Sequence, residues 1–347
     1  MKTYSIAVLP GDGIGPEVIA EAERALETAG DRFGIEFTLQ RFPIGAAGVA
    51  AAGDPFPEET RAGVTRADAV LLGAVGDPSL DQAPRHLRPI AVFPALVDRS
   101  PLKADRLEGV DVLIVRELTG GLYYGEPRGR DAGGAAAVNT LRYTAAEIKR
   151  VARVAFEAAR RRRGHVTSVD KANVLEVSQL WRESVTRVGQ DYPDVQLDHL
   201  YVDTAAMRLV ADPRAFDVLL TENMFGDILS DEAAVLVGSL GLLPSASLGE
   251  GPGLFEPIHG SAPDIAGRDV ANPIGAIATV ALLLRHGLTL AEPAAAVERA
   301  ISLALEQGAR TQDIAEPGAA ALGTRAMGAR IAGLIAQEQP SRAPVAS

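Results

Sequence analysis

The 347-residue chain contains no cysteine, which excludes disulfide bonds and thiolate metal sites. Any metal would therefore need oxygen or imidazole ligands, and this favours a hard cation. Basic residues are also comparatively few, because 34 lysines and arginines stand against 45 aspartates and glutamates. The resulting net charge of −11 disfavours nucleic acid and anionic lipid as partners.

Long hydrophobic runs are absent as well. The longest, such as residues 274–284, fall short of the roughly 20 residues that span a bilayer. The apolar stretch at the N-terminus is too short for a signal peptide, so we expect a cytoplasmic protein without a membrane segment. At 347 residues, of which 47% are hydrophobic, the chain exceeds the usual size of one core and favours two globular units.

Short segments rich in β-branched residues alternate with longer amphipathic ones, which indicates an α/β architecture with parallel strands. The clearest predicted helix covers residues 144–163, because Thr144 and Glu147 have the spacing of a capping box and Gly164 follows. The glycine-rich residues 120–134 favour an arm or hairpin. The other predicted helices are residues 16–29, 58–64, 175–189 and 226–237, and the predicted strands are residues 4–9, 35–42, 69–72, 112–115, 166–169, 197–202 and 218–220.

Asp227 and Asp231 are four residues apart in a helical segment, so both carboxylates lie on one face, with Cβ atoms about 5–6 Å apart. Such like charges destabilise a helix unless a cation joins them, and Mg²⁺ or Mn²⁺ would do so. The spacing alone fits a solvated acidic face better. The segment GDGIG at residues 11–15 follows a strand and opens a helix, but its spacing is not that of a Rossmann dinucleotide site.

Several longer motifs occur in a fixed order along nearly the whole chain. They are residues 9–17 (LPGDGIGPE), 111–121 (DVLIVRELTGG), 123–129 (YYGEPRG), 168–175 (SVDKANVL), 221–231 (TENMFGDILSD) and 255–267 (FEPIHGSAPDIAG). Together they resemble the isopropylmalate/isocitrate dehydrogenase family. The resemblance implies a two-domain α/β fold with a mixed parallel and antiparallel sheet that is not a Rossmann fold.

The same resemblance predicts how the chain is divided. Residues 1–84 and 238–347 would form a first domain with most of the dinucleotide site. Residues 85–237 would form a second domain with a dimerisation arm and the metal and catalytic residues. The protein would be a homodimer with shared active sites, and the cleft between the domains would hold metal, substrate and nicotinamide.

The resemblance also implies roles for single residues. Asp227 and Asp231 would bind Mg²⁺ or Mn²⁺ together with Asp203 of the other subunit, and Asp203 and Asp227 would also contact the substrate. Lys171 would act from the partner as the general base, and Tyr123 would donate a proton after carbon dioxide leaves. A surface lysine and a packing tyrosine are the alternatives for the last two.

Arginines and a glycine-rich loop complete the implied site. Arg88 and Arg116 would bind the substrate carboxylates, unless they only form salt bridges within the protein. NAD would lie near His259 and Asn272, and Asp264 would bind the ribose hydroxyls and repel the 2′-phosphate of NADP. The full implied cofactor set is His259, Gly260, Ser261, Ala262, Asp264, Ile265, Asn272 and Asn173.

Residues 117–121 (ELTGG) have the form of the isopropylmalate branch of this family. The expected reaction is therefore the oxidation of (2R,3S)-3-isopropylmalate by NAD and its decarboxylation to 2-oxoisocaproate (4-methyl-2-oxopentanoate) in leucine biosynthesis. The chain nevertheless lacks a segment of roughly twenty residues that the family carries near residues 84–89, and Arg85 is a candidate replacement for a lost carboxylate ligand. This gap leaves two alternatives, a dehydrogenase of another malate such as tartrate or malate itself, and a non-catalytic dimeric paralogue.

Overall fold

The computed structural model describes residues 2–75, 85–249 and 251–337. Its strands are β1 (Thr3–Gly11), β2 (Glu36–Arg41), β3 (Ala69–Ala74), β4 (Arg85–Ala91), β5 (Asp111–Glu117), β6 (Gly129–Arg130), β7 (Ala137–Val138), β8 (His165–Asp170), β9 (Gln196–Tyr201), β10 (Val218–Thr221), β11 (Pro244–Leu248) and β12 (Gly253–Pro257). Its α-helices are α1 (Gly15–Phe33), α2 (Ala46–Ala52), α3 (Glu58–Arg66), α4 (Ala104–Leu107), α5 (Ala145–Arg160), α6 (Glu176–Gly189), α7 (Val202–Ala211), α8 (Asn223–Ala234), α9 (Ile274–Leu282), α10 (Ala291–Glu306) and α11 (Thr324–Gln337).

The chain forms two compact units, one from Met1–Gly76 and Pro252–Ser347 and the other from Asp77–Gly251. In the first unit the strands lie in the order β2-β1-β3-β12 and pair in parallel. Helices α1, α9, α10 and α11 pack on one another, and α1 and α9 also contact the strands. The core consists of fully buried side chains such as Ile6, Leu71 and Phe255. The family resemblance predicts these divisions at 84/85 and 237/238.

In the second unit the strand order is β11-β4-β5-β10-β8-β9. Strand β4 is antiparallel to β5 and β11, whereas β5, β10, β8 and β9 run parallel. The mixed α/β sheet implied by the family resemblance is therefore confirmed. Alternation along the chain had suggested parallel strands alone, and it missed β4 because the segment RHLRPIA contains a proline and three basic residues.

The register of the parallel strands positions the chemistry of this unit. Arg116 on β5 pairs with Thr221 at the end of β10, and α8 begins at Asn223. The carboxyl ends of parallel strands share one edge of the sheet, which is where ligands bind in open α/β sheets. Arg116 and the first turn of α8 therefore lie side by side.

Local signals in this unit behave as expected. Thr144 and Glu147 form the predicted capping box at the start of α5, and Gly164 after the helix has a positive φ of 76°. The predicted hairpin is present, because β6 and β7 form a two-stranded antiparallel sheet. In the basic run at residues 160–163, Arg160 pairs with Asp194 and Arg162 with Asp217.

Among the described residues, no helix is both long and apolar enough to cross a bilayer.

Candidate active site

Arg116, Asn223 and Asp227 form a buried chain of hydrogen bonds between β5 and α8. Nη1 of Arg116 donates to Oδ1 of Asp227 at 2.5 Å. Nη2 and Nε of the same guanidinium donate to Oδ1 of Asn223 at 2.7 and 3.1 Å, and Nε also reaches the Asn223 carbonyl at 2.9 Å. Arg116 is thus held along one edge, and Nη1 points toward the carboxylate.

Tyr123 reaches the same carboxylate from the turn that follows β5. Its hydroxyl donates to Oδ2 of Asp227 at 2.9 Å. Partial burial is the largest cause that raises the pKa of Tyr123, and the hydrogen bond to Asp227 is the second. The phenol therefore stays protonated at neutral pH, as a proton donor must.

Arg88 on β4 neutralises the acidic face of α8. Its Nη1 donates to the Ser230 hydroxyl at 2.5 Å and lies 3.4 Å from Oδ1 of Asp231, while Nη2 lies 3.8 Å from Oδ1 of Asp227. Two guanidinium groups thus stand beside two carboxylates, which offsets the like-charge repulsion of the i,i+4 pair. The structure brings together Arg88, Arg116, Tyr123, Asp227 and Asp231. The side chain of Arg85, the suggested substitute ligand, lies outside the described residues.

Lys171 and Asp203 form a separate pair at the ends of β8 and β9. Nζ of Lys171 lies 2.6 Å from Oδ1 of Asp203, and this hydrogen bond lowers the pKa of Asp203. No cluster of three acidic, histidine or cysteine residues in the described part of the chain could hold a metal ion. Asp203, Asp227 and Asp231 of one chain therefore do not form such a cluster.

The donor set of α8 fits a divalent cation. Both candidate ligands are carboxylates, and Mg²⁺ and Mn²⁺ prefer oxygen. Asp231 is 68% exposed at its side chain and so is open to further ligands. Asp227 and Asp231 would hold such an ion together with an oxygen from outside this helix.

The glycine-rich loop after β12 lies in the first unit and holds most of the predicted cofactor residues. Nδ1 of His259 lies 3.1 Å from the Gly260 carbonyl, and its Nε2 is buried without a hydrogen-bond partner. Asn272 is buried and donates to Asp313 at 3.0 Å. A proton on Nδ1 leaves Nε2 as an unsatisfied acceptor, which an amino group such as that of adenine could satisfy. The loop therefore fits a dinucleotide.

The remaining cofactor candidates occupy exposed or turn positions. The Ser261 carbonyl accepts from the backbone of Ile14 at 2.8 Å, which fixes the loop against the turn after β1. Ala262 has a positive φ of 36°, and its carbonyl accepts from Ile265. Asp264 is exposed. Asn173 is also exposed but lies in the second unit, in the turn after β8.

Sequence reasoning did not find Asn223, Ser230 or Gly226. Asn223 and Ser230 contact Arg116 and Arg88, which are 107 and 142 residues away in sequence. No local pattern encodes such partners. The one available signal was that Asn223 and Gly226 stand inside the motif of residues 221–231.

Gly226 permits the close approach of Arg116 to α8. A Cβ at this position would lie 2.6 Å from Cγ of Arg116 and would also clash with the Thr221 hydroxyl. We expect Gly226→Ala to cost about 1–3 kcal/mol of stability by overpacking and to raise KM for a carboxylate substrate. Chemical denaturation and steady-state kinetics measure both effects. The matched control is Gly333→Ala in α11, where nothing lies within 4 Å, so the variant should be as stable as the wild type or more so.

Burial lowers the pKa of His259, so the folded protein holds this ring neutral. As pH falls below 6.5, the unfolded chain takes up a proton that the folded protein does not, and stability should decrease. The variant His259→Asn should lose this component. As the pH is lowered from 7.5 to 5.5, we expect thermal denaturation to show that the stability of the variant rises relative to that of the wild type. A constant difference over this range would contradict the prediction. The pKa of His199 is lowered too, but His199 is present in both proteins and cancels in the comparison.

A family model described as isocitrate/isopropylmalate dehydrogenase matches residues 5–331. The chain belongs to this family. The 3-isopropylmalate dehydrogenase of Gloeobacter violaceus is 55% identical and is aligned over 94% of this chain and 97% of its own length. The 3-isopropylmalate dehydrogenase of Synechocystis is 51% identical and is aligned over 96% of this chain and 99% of its own length. A solved isocitrate dehydrogenase from Methylococcus capsulatus superposes with a TM-score of 0.87 at 33% identity, covering 96% of this chain and all of that one.

The Gloeobacter 3-isopropylmalate dehydrogenase is 55% identical to this chain, whereas the solved isocitrate dehydrogenase is 33% identical to it. The alignment with the Gloeobacter protein extends over 351 positions, more than the 347 residues of this chain. That relative therefore carries residues that this chain lacks within the matched range.

Proposed function

We propose that this protein catalyses the NAD-dependent oxidative decarboxylation of (2R,3S)-3-isopropylmalate to 2-oxoisocaproate and carbon dioxide. The observation that carries the proposal is the identity of 55% to a 3-isopropylmalate dehydrogenase over 97% of that protein's length. The cluster of Arg88, Arg116, Tyr123, Asp227 and Asp231 supports it, because such a set can bind a dicarboxylate and deliver a proton.

In this proposal Arg116 and Arg88 exchange their aspartate partners for the substrate carboxylates, which guanidinium groups bind in a bidentate manner. Lys171 accepts the proton of the 2-hydroxyl, directly or through water. Tyr123 donates a proton to the carbon that loses carbon dioxide. Asp203, Asp227 and Asp231 would hold a divalent ion, which would supply charge stabilisation at the substrate oxygens. The loop that carries His259 and Asp264 would hold NAD, which would supply the hydride acceptor for the hydroxyl carbon.

We further propose a homodimer in which Lys171 and Asp203 of one chain complete the site of the other. On α7, Asp203, Met207 and Val210 share one exposed stripe. On α8, Ile228 and Asp231 are exposed on one side, and Val235, directly after the helix, is exposed as well. Exposed apolar side chains beside candidate metal ligands suit an interface with a second copy. We place this dimer in the cytoplasm.

The test is the rise in NADH absorbance with purified protein, Mn²⁺ or Mg²⁺ and (2R,3S)-3-isopropylmalate. We expect turnover that stops when EDTA removes the metal, and a preference for NAD over NADP. A panel of 3-substituted malates, with malate and tartrate, tests the second candidate function, which the missing residues favour. A higher kcat/KM for another malate would replace isopropylmalate as the substrate. Binding of NAD and metal without any turnover would establish the non-catalytic paralogue.

A further inference from the structure

Asn223 is the first residue of α8 and stands one helical turn before Asp227. Its side chain is 1% exposed. Buried amides persist when their donors and acceptors are satisfied, and this amide makes hydrogen bonds on both sides. Oδ1 accepts from Nη2 and Nε of Arg116, and Nδ2 donates to the carbonyls of Leu118 and Gly120 at 3.0 and 3.2 Å.

These contacts join the segments that carry the reactive groups. Arg116 lies on β5, and Leu118 and Gly120 lie in the turn that leads to Tyr123. Asp227 lies on the same helix as Asn223, and it accepts from both Arg116 and Tyr123. The backbone amide of Asn223 also donates to the Tyr143 hydroxyl at 3.0 Å, which anchors the start of the helix.

No other side chain of this size can make these contacts. An aspartate could accept from Arg116 but could not donate to the two carbonyls, and an aliphatic side chain could do neither. Because Nε and Nη2 of Arg116 are engaged by Asn223, Nη1 is the nitrogen left to face Asp227. We propose that Asn223 is a positioning residue that sets the rotation of the Arg116 guanidinium and the place of the Tyr123 turn relative to Asp227. This proposal rests on the proposed function.

Two variants distinguish the role of Oδ1 of Asn223, which accepts from Arg116, from that of Nδ2, which donates to the carbonyls of Leu118 and Gly120. In Asn223→Asp the acceptor for Arg116 remains, while a carboxylate oxygen faces the carbonyls of Leu118 and Gly120. We expect kcat to fall about 10- to 100-fold with KM for the malate changed less than about threefold. In Asn223→Ala both the acceptor for Arg116 and the donor to the two carbonyls are lost, so KM for the malate should rise as well. KM for NAD should not change in either variant.

A second measurement needs no substrate. We expect amide hydrogen exchange at residues 118–125 to be about tenfold faster in both variants, because the turn loses the two hydrogen bonds that Nδ2 of Asn223 donates to its carbonyls. Asn139→Asp and Asn139→Ala are the matched controls, since Asn139 is exposed on the hairpin arm. Fluorescence of Trp181, the single tryptophan, tests local packing because its ring contacts Tyr143.

Unchanged kinetics and exchange in both variants would overturn the role of Asn223. A KM for NAD that rises as much as KM for the malate, with faster exchange throughout the chain, would also overturn it in favour of a general role in folding. Failure of the wild type to oxidise any malate would instead overturn the proposed function. The exchange measurement would still decide whether Asn223 holds the turn.

Discussion

A heterodimer of Lys171→Met and Asp227→Asn chains should regain about half of the wild-type activity, although each homodimer is inactive. Each homodimer should lose roughly 100- to 10,000-fold in kcat, because one lacks the base and the other a metal ligand. In the heterodimer one site combines both lesions. The other site combines an intact Lys171 with an intact Asp227, because these residues come from different chains.

The experiment uses co-expression with two different affinity tags, so that only heterodimers pass both columns. Steady-state NADH formation measures the activity, and thermal denaturation checks that both chains fold. A heterodimer as inactive as its parents would contradict the shared site and place Lys171 and Asp227 in the active site of a single chain. Within the described part of one chain, Lys171 pairs with Asp203, and the three aspartates do not form a cluster that could hold a metal, which motivates this test.

Tyr123→Phe should lower steady-state kcat by roughly 100- to 10,000-fold, the usual contribution of a positioned proton donor. KM values for malate and NAD should change little, because Arg116 and the dinucleotide loop are unaffected. If Tyr123 acts only after carbon dioxide has left, hydride transfer precedes the defect. A stopped-flow experiment should then show a burst of NADH equivalent to one turnover per site at nearly the wild-type rate.

The neighbouring Tyr124→Phe variant is the control, since Tyr124 is exposed on the same turn and should keep full activity. A burst as slow as the steady state in Tyr123→Phe would mean that the hydroxyl is needed before or during hydride transfer. Its hydrogen bond to Asp227 would then be the important contact.

Periodic segments with local signals were well predicted from the sequence. The capping box at Thr144 gave the start of α5, and β5, β8 and β10 lie within about two residues of the predicted strands. α8 begins at Asn223 rather than at 226, because the Glu222 side chain caps the helix by accepting from the Phe225 amide. β4 was missed because Pro89 and its basic neighbours do not follow a strand pattern.

Within the site, the sequence predicted residues but not the contacts between them. Arg116, Tyr123 and Asp227 were chosen from motifs, and the structure brings them together. Asn223 could not be chosen, because its hydrogen-bond partners, the Arg116 guanidinium and the Leu118 carbonyl, are more than 100 residues away in sequence. The roles of all these residues stay predictions until the variants are measured.

The junction between β10 and α8 limits how this protein could be re-engineered. Strand β10 ends at Thr221 and α8 begins at Asn223, so only the capping residue Glu222 separates them. One inserted residue would turn the helix by about 100° and carry Asp227 away from Arg116 and Tyr123. Libraries that vary loop length should therefore leave this junction unchanged.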